Sequence, residues 1–258
     1  MTPRRRVEAV LLPVAAAATL VALWAAAVRW SGTTVFPAPS AVALGIAELA
    51  RKGLLLPYVR DSLFRVAAGY GLALAVGIPL GVFLGWHPAP ARAVNPVIQF
   101  LRPISPLAWI PVAIVLFGVK NTAAVFLIFL ASLFPILVSA MNGVRGVSAM
   151  HRQAGRNFGL SWPALLARVV FPAALPEILI GLRIALGIAW IVVVAAEMIA
   201  VNSGLGYLVI DSRNAGKRYD LVGAAMLLIG AIGLALNLLI QRVSRFRAVR
   251  WGFREEAS

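Results

Sequence analysis

Residues 150–172 read MHRQAGRNFGLSWPALLARVVFP and form a polar segment within a very apolar chain. The segment contains one histidine and three arginines, at His151, Arg152, Arg156 and Arg168. The apolar runs on both sides are about as long as the roughly 20 residues that a helix needs to cross a bilayer. We therefore interpret the segment as an ordered loop between membrane spans, with a surface suited to docking.

The composition is that of an integral membrane protein. Of the 258 residues, 61% are hydrophobic and the mean hydropathy is +0.91, whereas soluble domains contain roughly 45–50% apolar residues. The apolar runs predict a single all-α membrane domain over residues 1–258, with no room for a separate soluble domain. The loop that contains the polar segment covers about residues 143–173. The six predicted transmembrane helices are 8–28, 63–86, 94–118, 122–142, 174–200 and 220–241.

The net charge of +15 does not indicate nucleic-acid binding, because the basic residues flank the apolar spans and form no patch with aromatic side chains. Most of them fall on the side of the N-terminus, which predicts that both termini are cytoplasmic. The first apolar run follows Arg4, Arg5 and Arg6 but is longer than the core of a signal peptide, so we interpret it as a retained helix. The chain has no cysteine, which excludes disulfides and thiol chemistry.

Small residues recur at every fourth position of the second predicted span. They form one smooth ridge along a helix, which allows a neighbouring helix to approach closely. We therefore expect this ridge to be a packing surface and not a ligand site. Its members are Gly69, Ala73, Gly77, Gly81 and Gly85.

The third predicted span, 94–118, contains four prolines and several polar side chains. An interior proline removes a backbone hydrogen bond and kinks a helix. Broken backbone at membrane depth is tolerated where it is buried in protein or lines a watery cavity, which favours a pathway wall with Ser105 and Trp109 as lining residues. Alternatively, residues 94–106 form a cytoplasmic loop with a re-entrant turn, and a short helix begins at Leu107.

The fifth predicted span places Arg183, Trp190 and Glu197 seven residues apart, so the three side chains share one helix face. Ionisable residues within a span usually face protein or a cavity and are often functional. The stripe is therefore a candidate pathway lining, in which Arg183 attracts an anion and Glu197 acts as a gate or an interhelix partner. Alternatively, Arg183 reaches the headgroups and Glu197 simply ends the helix.

The sequence lacks the residues that intrinsic catalysis would need. No G-x-x-x-x-G-K-[ST] loop is present, so any ATPase must be a separate subunit. His87 and His151 lie in separate loops without clustered carboxylates, which argues against a metal site. No Ser–His or carboxylate pair lies at helix depth. The chain is therefore predicted to be a non-enzymatic membrane protein with no cofactor of its own.

Within the polar segment, QAG at 153–155 is followed by Gly159 and then by Val169, Phe171 and Pro172. This spacing resembles the EAA motif of permease subunits of ABC importers, in which a short cytoplasmic helix docks into a groove of the ATP-hydrolysing subunit. Gln153 stands where that motif has its acid, and Gly155 replaces its second alanine. An amphipathic interfacial helix is the alternative. The coupling residues that the resemblance implies are Gln153, Ala154, Gly155, Arg156, Phe158, Gly159 and Leu160.

Other stretches extend the resemblance over most of the chain. They resemble the nitrate/sulfonate/bicarbonate/taurine branch of binding-protein-dependent permeases, and the PISPLAWIP stretch is somewhat nearer the nitrate and bicarbonate members. The resemblance implies a type I ABC importer permease fold in a bacterial inner membrane. The matching stretches are FPAPSAVALGIAEL, GIPLGVFLGW, LRPISPLAWIPVAIVLFG, FPAALPEILIGLRIALGIAW and VNSGLGYLVI.

The same resemblance implies the partners. They are a second copy or a homologous permease, two cytoplasmic ATP-binding subunits that carry ATP and Mg, an external substrate-binding protein, and lipid. The implied function is import of a small anion through a pathway that this chain forms. Two other classes stay open, a secondary transporter or channel without an ATPase, and a membrane scaffold without transport.

Overall fold

The computed structural model of the protein describes residues 3–32 and 35–244. The remaining residues of the predicted 1–258 domain, 1–2, 33–34 and 245–258, lie outside this description, and the side on which each terminus lies stays a prediction. All regular structure in the described part is helical. The eleven α-helices are α1 Pro3–Ser31, α2 Pro39–Arg51, α3 Leu55–Trp86, α4 Pro88–Leu101, α5 Ile110–Phe117, α6 Asn121–Gly146, α7 Ala149–Asn157, α8 Trp162–Leu165, α9 Phe171–Ile199, α10 Leu205–Gly216 and α11 Tyr219–Ser244.

Five helical stretches in the described residues are long and apolar enough to cross a membrane by themselves. Two of them start earlier than predicted, since the second runs over Leu55–Trp86 and the fourth over Trp162–Ile199. The latter is continuous because a π-helical turn, Leu166–Val170, joins α8 to α9. Pro172 has no N–H for the carbonyl four residues earlier, which accounts for the altered hydrogen bonding just before it.

The predicted span 94–118 is sharply bent in the structure, because α4 and the helical stretch Pro106–Phe117 meet at 84°, as in a broken span or a re-entrant loop. A residue that precedes a proline is disfavoured in helical conformation, and Ser105, before Pro106, has an extended ψ of 130°. The Ser105 hydroxyl then accepts a hydrogen bond from the Leu107 N–H and caps a short 3₁₀ turn, Pro106–Trp109. The alternative interpretation made residues 94–106 a loop, whereas residues 94–101 are helical and belong to α4, and the second helical stretch begins at Pro106.

The ridge of small residues on α3 packs against α6, as predicted. A Cβ at Gly81 would lie 2.5 Å from the Leu137 carbonyl oxygen, and one at Gly85 would lie 2.7 Å from the Val144 Cβ. Ala73 is fully buried in the same interface. The two helices therefore approach more closely than any larger side chain would allow, and α9 packs on the other side of α6.

The bundle has two ends that matter for function. α6 leads into α7 through residues 147–148, so α7 and α8 lie at one end, which we call the coupling-loop end. α9 then runs back through the bundle and finishes at Ile199, so the turn 200–204 and the start of α6 lie at the opposite end. The cluster of Glu197 with the first residues of α10 and α6, described below, is at this opposite end.

Candidate coupling surface, cavities and buried charge cluster

Helix α7 is capped at both ends. At its start, the Ser148 hydroxyl accepts a hydrogen bond from the His151 N–H. At its end, the Leu160 N–H donates to the Gly155 carbonyl at 3.2 Å, and the Gly159 N–H donates to the Arg156 carbonyl at 2.9 Å. This pair of bonds is a Schellman motif, which requires a left-handed residue at Gly159, and Gly159 has φ +73°. A nine-residue helix is thereby fixed with a defined beginning and end.

Gly155 holds α7 against the rest of the loop. It is the buried residue of α7, and a Cβ at this position would lie 2.5 Å from the Leu165 Cδ1 and 3.4 Å from the Leu160 Cδ1. The side chain of Leu165 is buried. The predicted glycine spacing therefore has two different physical roles, since Gly155 permits close packing and Gly159 permits the turn.

The remaining predicted coupling residues face outward. Gln153, Ala154 and Arg156 are exposed, Leu160 is half-buried, and Phe158 has 86% of its surface exposed. Beside them, α7 and the end of α3 enclose an open cavity of about 500 Å³. Its lining residues are Trp86, Ala149, Arg152, Gln153, Arg156 and Asn157.

Aromatic rings connect this loop to α3. Trp162 makes an edge contact with Trp86, with ring centroids 5.7 Å apart, and stacks on His87 at 6.1 Å. His87 in turn contacts Phe83 at 4.8 Å. Aromatic pairs of this kind stabilise a packing arrangement beyond their buried area. The coupling-loop end is thus braced on α3, while its α7 surface is left open.

The break between α4 and α5 faces a cavity of about 340 Å³. Trp109, which the sequence predicts as a pathway residue, is part of its wall; Ser105 caps the turn beside it. Residues from the middle of α6 and α9 complete the cavity. The wall consists of Leu101, Arg102, Ile104, Pro106, Trp109, Leu130, Ala131, Phe134, Pro135, Val138, Ser139, Ile184 and Ile188.

The predicted stripe on α9 is divided among different surroundings. Arg183 and Trp190 lie together in a cavity of about 200 Å³ between α9 and α11. The Trp190 Nε1–H donates a 3.0 Å hydrogen bond to the Ile229 carbonyl of α11. Glu197 is fully buried and faces α3 and α10. One helix face is shared, as predicted, but the three side chains do not line one common cavity.

Glu197 is the centre of a buried charge cluster. Its Oε1 accepts a 2.6 Å bond from Arg65, and its Oε2 accepts 2.9 Å bonds from the Ser62 hydroxyl and the Gly206 N–H. This is the interhelix partner role that the sequence analysis gave as one option for Glu197. The option that Glu197 simply ends the helix does not account for these contacts.

Arg65 has a partner for each of its five N–H groups. Nε donates to the Asn121 Oδ1 at 3.0 Å and Nη2 to the same oxygen at 2.8 Å. Nη1 reaches the Ser203 carbonyl at 2.8 Å in addition to Glu197, and Nη2 also donates to the Ser203 hydroxyl. A Cβ at Gly204, where φ is +99°, would collide with both charged groups. The cluster therefore joins α3, α6, α9 and the turn before α10.

The sequence analysis did not identify Arg65 or Ser62 as members of a site. The reason is the predicted span boundary, since a helix that begins at 63 makes Arg65 a flanking cation, whereas α3 begins at Leu55. The available signal was the presence of one carboxylate, Glu197, deep in an apolar helix, because a buried charge is retained only with a partner. Arg65, at the start of the second predicted span, was a cation that could pair with Glu197.

A second, half-buried network lies between the end of α2 and the start of α11. Arg218 bonds Glu48 at 2.5 Å and Asp220 at 2.7 Å, and Lys52 bonds Glu48 at 2.6 Å. The hydrogen bonds from Arg218 and then Lys52 lower the pKa of the Glu48 carboxyl from 4.5 to about 2. This network links α2 to the start of α11 and has no counterpart in the sequence predictions.

No group of three or more potential metal ligands is brought together in the part of the chain that the structure describes. His87 and His151 are in separate elements, the first preceding α4 and the second in α7.

Comparisons with known proteins give the family. Residues 77–248 match the model of the binding-protein-dependent transport system inner membrane component. A putative ABC transporter permease protein of Methanocaldococcus jannaschii is 42% identical over 72% of this chain and 69% of its own length. The bicarbonate transport system permease protein of Synechococcus elongatus is 34% identical over 94% of this chain and 91% of its own. A putative aliphatic sulfonates transport permease protein of Bacillus subtilis is 30% identical over 95% and 87%.

A chain from a solved structure of the MetNI methionine ABC transporter shares the fold, with a TM-score of 0.65 and 18% identity over 74% of this chain and 94% of that one. The predicted permease fold and the predicted multi-pass membrane location are confirmed. The protein belongs to the family of inner membrane components of binding-protein-dependent transport systems, and it is a permease subunit of such a system.

Proposed function

We propose that this chain forms the translocation pathway of an ATP-driven importer for a small anion, paired with a second copy of itself or with a homologous permease. The observation that supports this most directly is α7, a short helix that is capped at both ends and exposed along its outer side. The names of the relatives add nitrate, bicarbonate and aliphatic sulfonates as substrates of related systems. An external binding protein would deliver the anion to the end opposite α7.

In this proposal α7 faces the cytoplasm and docks on an ATP-binding subunit, which holds ATP and Mg. The permease itself carries out no chemistry. Phe158 supplies an exposed apolar anchor, and Gln153 and Arg156 supply hydrogen bonds at its side. Since Gln153 is neutral, the contact at this position is an uncharged hydrogen bond, which is weaker than one to a carboxylate.

The short connection between α7 and α9 suits the transmission of movement. Gly155 packs on Leu165, and α8 continues through the π-helical turn into α9. Such turns often occur at functional sites. A displacement of α7 by the ATP-binding subunit would therefore tilt α9, and with it Ile184, Arg183 and Trp190. Movement between two discrete arrangements of packed helices is the usual physical form of such coupling.

The predicted pathway residues have distinct roles in this proposal. Ser105 and Trp109 form the wall at the broken span, and Arg183 lies in the cavity between α9 and α11. Trp190 and Glu197 are buried and bonded to neighbouring elements. We therefore assign them to the contacts between α9 and its neighbouring helices and not to the lining of the pathway.

Co-purification tests the proposal. The tagged full chain, extracted gently with its neighbouring gene products, is expected to bring a nucleotide-binding subunit in a fixed ratio. The same complex in proteoliposomes is expected to take up anion only with hydrolysable ATP. Uptake that needs an ion gradient and no ATP would instead establish a secondary transporter, and reproducible absence of the subunit would overturn the proposal.

A further inference from the structure

We propose that the cavity at the α4–α5 break binds an organic anion with an apolar body, a sulfonate or carboxylate, and that Arg102 contacts its charged group. This inference rests on the proposed function and names the substrate class that the pathway accepts. We infer that the cavity selects against inorganic anions such as nitrate and bicarbonate, and against zwitterions such as taurine.

The position of the cavity suits a substrate in transit. Its α6 wall runs from Leu130 to Ser139, in the middle of a helix that spans Asn121–Gly146, and Ile184 and Ile188 lie mid-way along α9. The cavity therefore lies between the coupling-loop end and the buried charge cluster. Discontinuous helices at this depth are where transporter folds place substrate sites, and broken backbone there is tolerated when it lines a cavity.

The size of the cavity favours a ligand larger than an inorganic anion. A volume of about 340 Å³ falls within the roughly 300–1,000 Å³ of small-molecule sites. A water molecule takes up roughly 30 Å³ of liquid, so an anion the size of nitrate would leave most of the space to water against apolar walls. An apolar body that displaces this water gains the free energy of the hydrophobic effect.

The chemistry of the wall favours the same class. Nearly all lining side chains are aliphatic, aromatic or proline, and the two exceptions are the Arg102 guanidinium and the Ser139 hydroxyl. Few polar groups within an apolar wall fix the orientation of an amphiphilic ligand. Nitrate or bicarbonate would lose hydration on most sides without replacement, which is costly. No carboxylate is present in the wall to receive the ammonium group of a zwitterion.

Arg102 differs from Arg65 and Arg218, whose guanidinium groups are held by partners. Arg65 uses all five N–H groups on partners, and Arg218 holds two carboxylates. In the described residues, the Arg102 side chain forms no ion pair or hydrogen bond, and it borders the cavity. The planar donor fork of a guanidinium with open N–H groups at an apolar cavity is suited to two oxygens of a sulfonate or carboxylate.

Equilibrium binding of radiolabelled p-toluenesulfonate to the full chain in nanodiscs tests the inference. We expect saturable binding that Arg102→Gln weakens about tenfold or more, since it removes charged hydrogen bonds. Arg102→Lys should restore part of the affinity. Arg92→Gln is the matched control, because Arg92, within α4, is exposed like Arg102 at the end of the same helix but borders no part of the cavity.

A second variant and competing anions separate the possible outcomes. Val138→Phe fills the cavity without touching a charge and should also weaken binding, even if Arg102→Gln folds poorly. A large excess of nitrate, bicarbonate or taurine should not displace the probe. Equal displacement by nitrate or bicarbonate, unchanged binding in Arg102→Gln, or no saturable binding would each overturn the inference. If the chain still co-purifies with its nucleotide-binding subunit in that case, the proposed function stands.

Discussion

At the coupling-loop end the polar side chains of α7 are exposed and their helix is held by backbone hydrogen bonds, whereas at the opposite end Arg65 and Glu197 are wholly buried and bonded to each other. Gly159 and Gly204 both have positive φ, yet no atom lies near the first, while the second is enclosed by the charged pair.

This difference indicates which part of the molecule can accept a partner. The buried cluster has no donor of Arg65 left unused, so it fixes four helical elements relative to one another. The surface of α7 leaves Phe158 and its neighbours without contacts that bury them. The helices are therefore fixed to one another at the buried cluster, and the exposed surface of α7 is the part that a partner can contact.

The largest effect on stability is expected at the buried pair. Glu197→Ala leaves the Arg65 charge buried without a counter-charge, and removing one partner of a buried pair costs about 3–5 kcal/mol of unfolding free energy. Thermal unfolding of the purified chain in detergent measures the loss.

The pair Arg60–Asp61 supplies the control for this loss. The pair is 3.7 Å apart, with Arg60 exposed and Asp61 half-buried, so Asp61→Ala should change the unfolding free energy by less than about 1 kcal/mol. The double variant Arg65→Met/Glu197→Leu should regain part of the loss, because no unpaired charge remains. Equal effects of Glu197→Ala and Asp61→Ala would refute the structural role of the cluster.

Gly159→Val is expected to lower the free energy of unfolding by about 1–3 kcal/mol, because a β-branched residue is strained at φ +73°. It should also abolish co-purification with the ATP-binding subunit, because the turn that ends α7 is distorted. Gly53 is the matched control, since it also has positive φ, at +67°, ends a helix and has open space for a Cβ. Gly53→Val should lower the unfolding temperature similarly but leave co-purification with the ATP-binding subunit intact. If Gly53→Val also abolished co-purification, the effect would be general and not specific to α7.

A smaller, pH-dependent effect is expected for Glu48→Gln. The Glu48 pKa is about 2 when folded against 4.5 as its ordinary value, so the folded state holds fewer protons than the unfolded one between these values. The stabilisation is therefore complete above the ordinary value and is lost as the pH falls towards the folded one. The gap in unfolding temperature between wild type and Glu48→Gln should shrink over that range.

The same measurement in an Arg218→Gln background checks the cause, because Arg218 is the main source of the lowered Glu48 pKa. In that background, the difference in unfolding temperature that Glu48→Gln causes should be smaller at every pH. A gap that widens on acidification would contradict the assignment.

The smallest effect on stability and a large one on assembly are expected for Phe158→Ala. Its side chain is 86% exposed, so truncation should leave the unfolding temperature unchanged. An apolar anchor at the centre of an interface, however, often contributes more than 1 kcal/mol to binding. Quantitative co-purification measures this, with Phe64→Ala on α3, 60% exposed, as the control. Unchanged recovery of the ATP-binding subunit would remove Phe158 from the docking surface.

Several features could be predicted from the sequence because they are local. Apolar runs of sufficient length gave the helical membrane fold, and four-residue spacing of small residues gave the α3 ridge against α6. The turn at Gly159 follows from a single glycine after a short polar helix. The size of the bend within 94–118 could not be predicted, since average hydropathy does not register how prolines redirect a chain.

The apolar content of this chain, by itself, determined that it is a bundle of membrane helices, and the pattern at 150–172 determined where a short polar helix lies. Only the tertiary structure decided that Arg65 meets Glu197, that Arg183 and Trp109 face different cavities, and that Arg102 borders the break. The reason is that helix periodicity sets the face of each side chain, whereas its partner depends on which helix, distant in sequence, packs against that face.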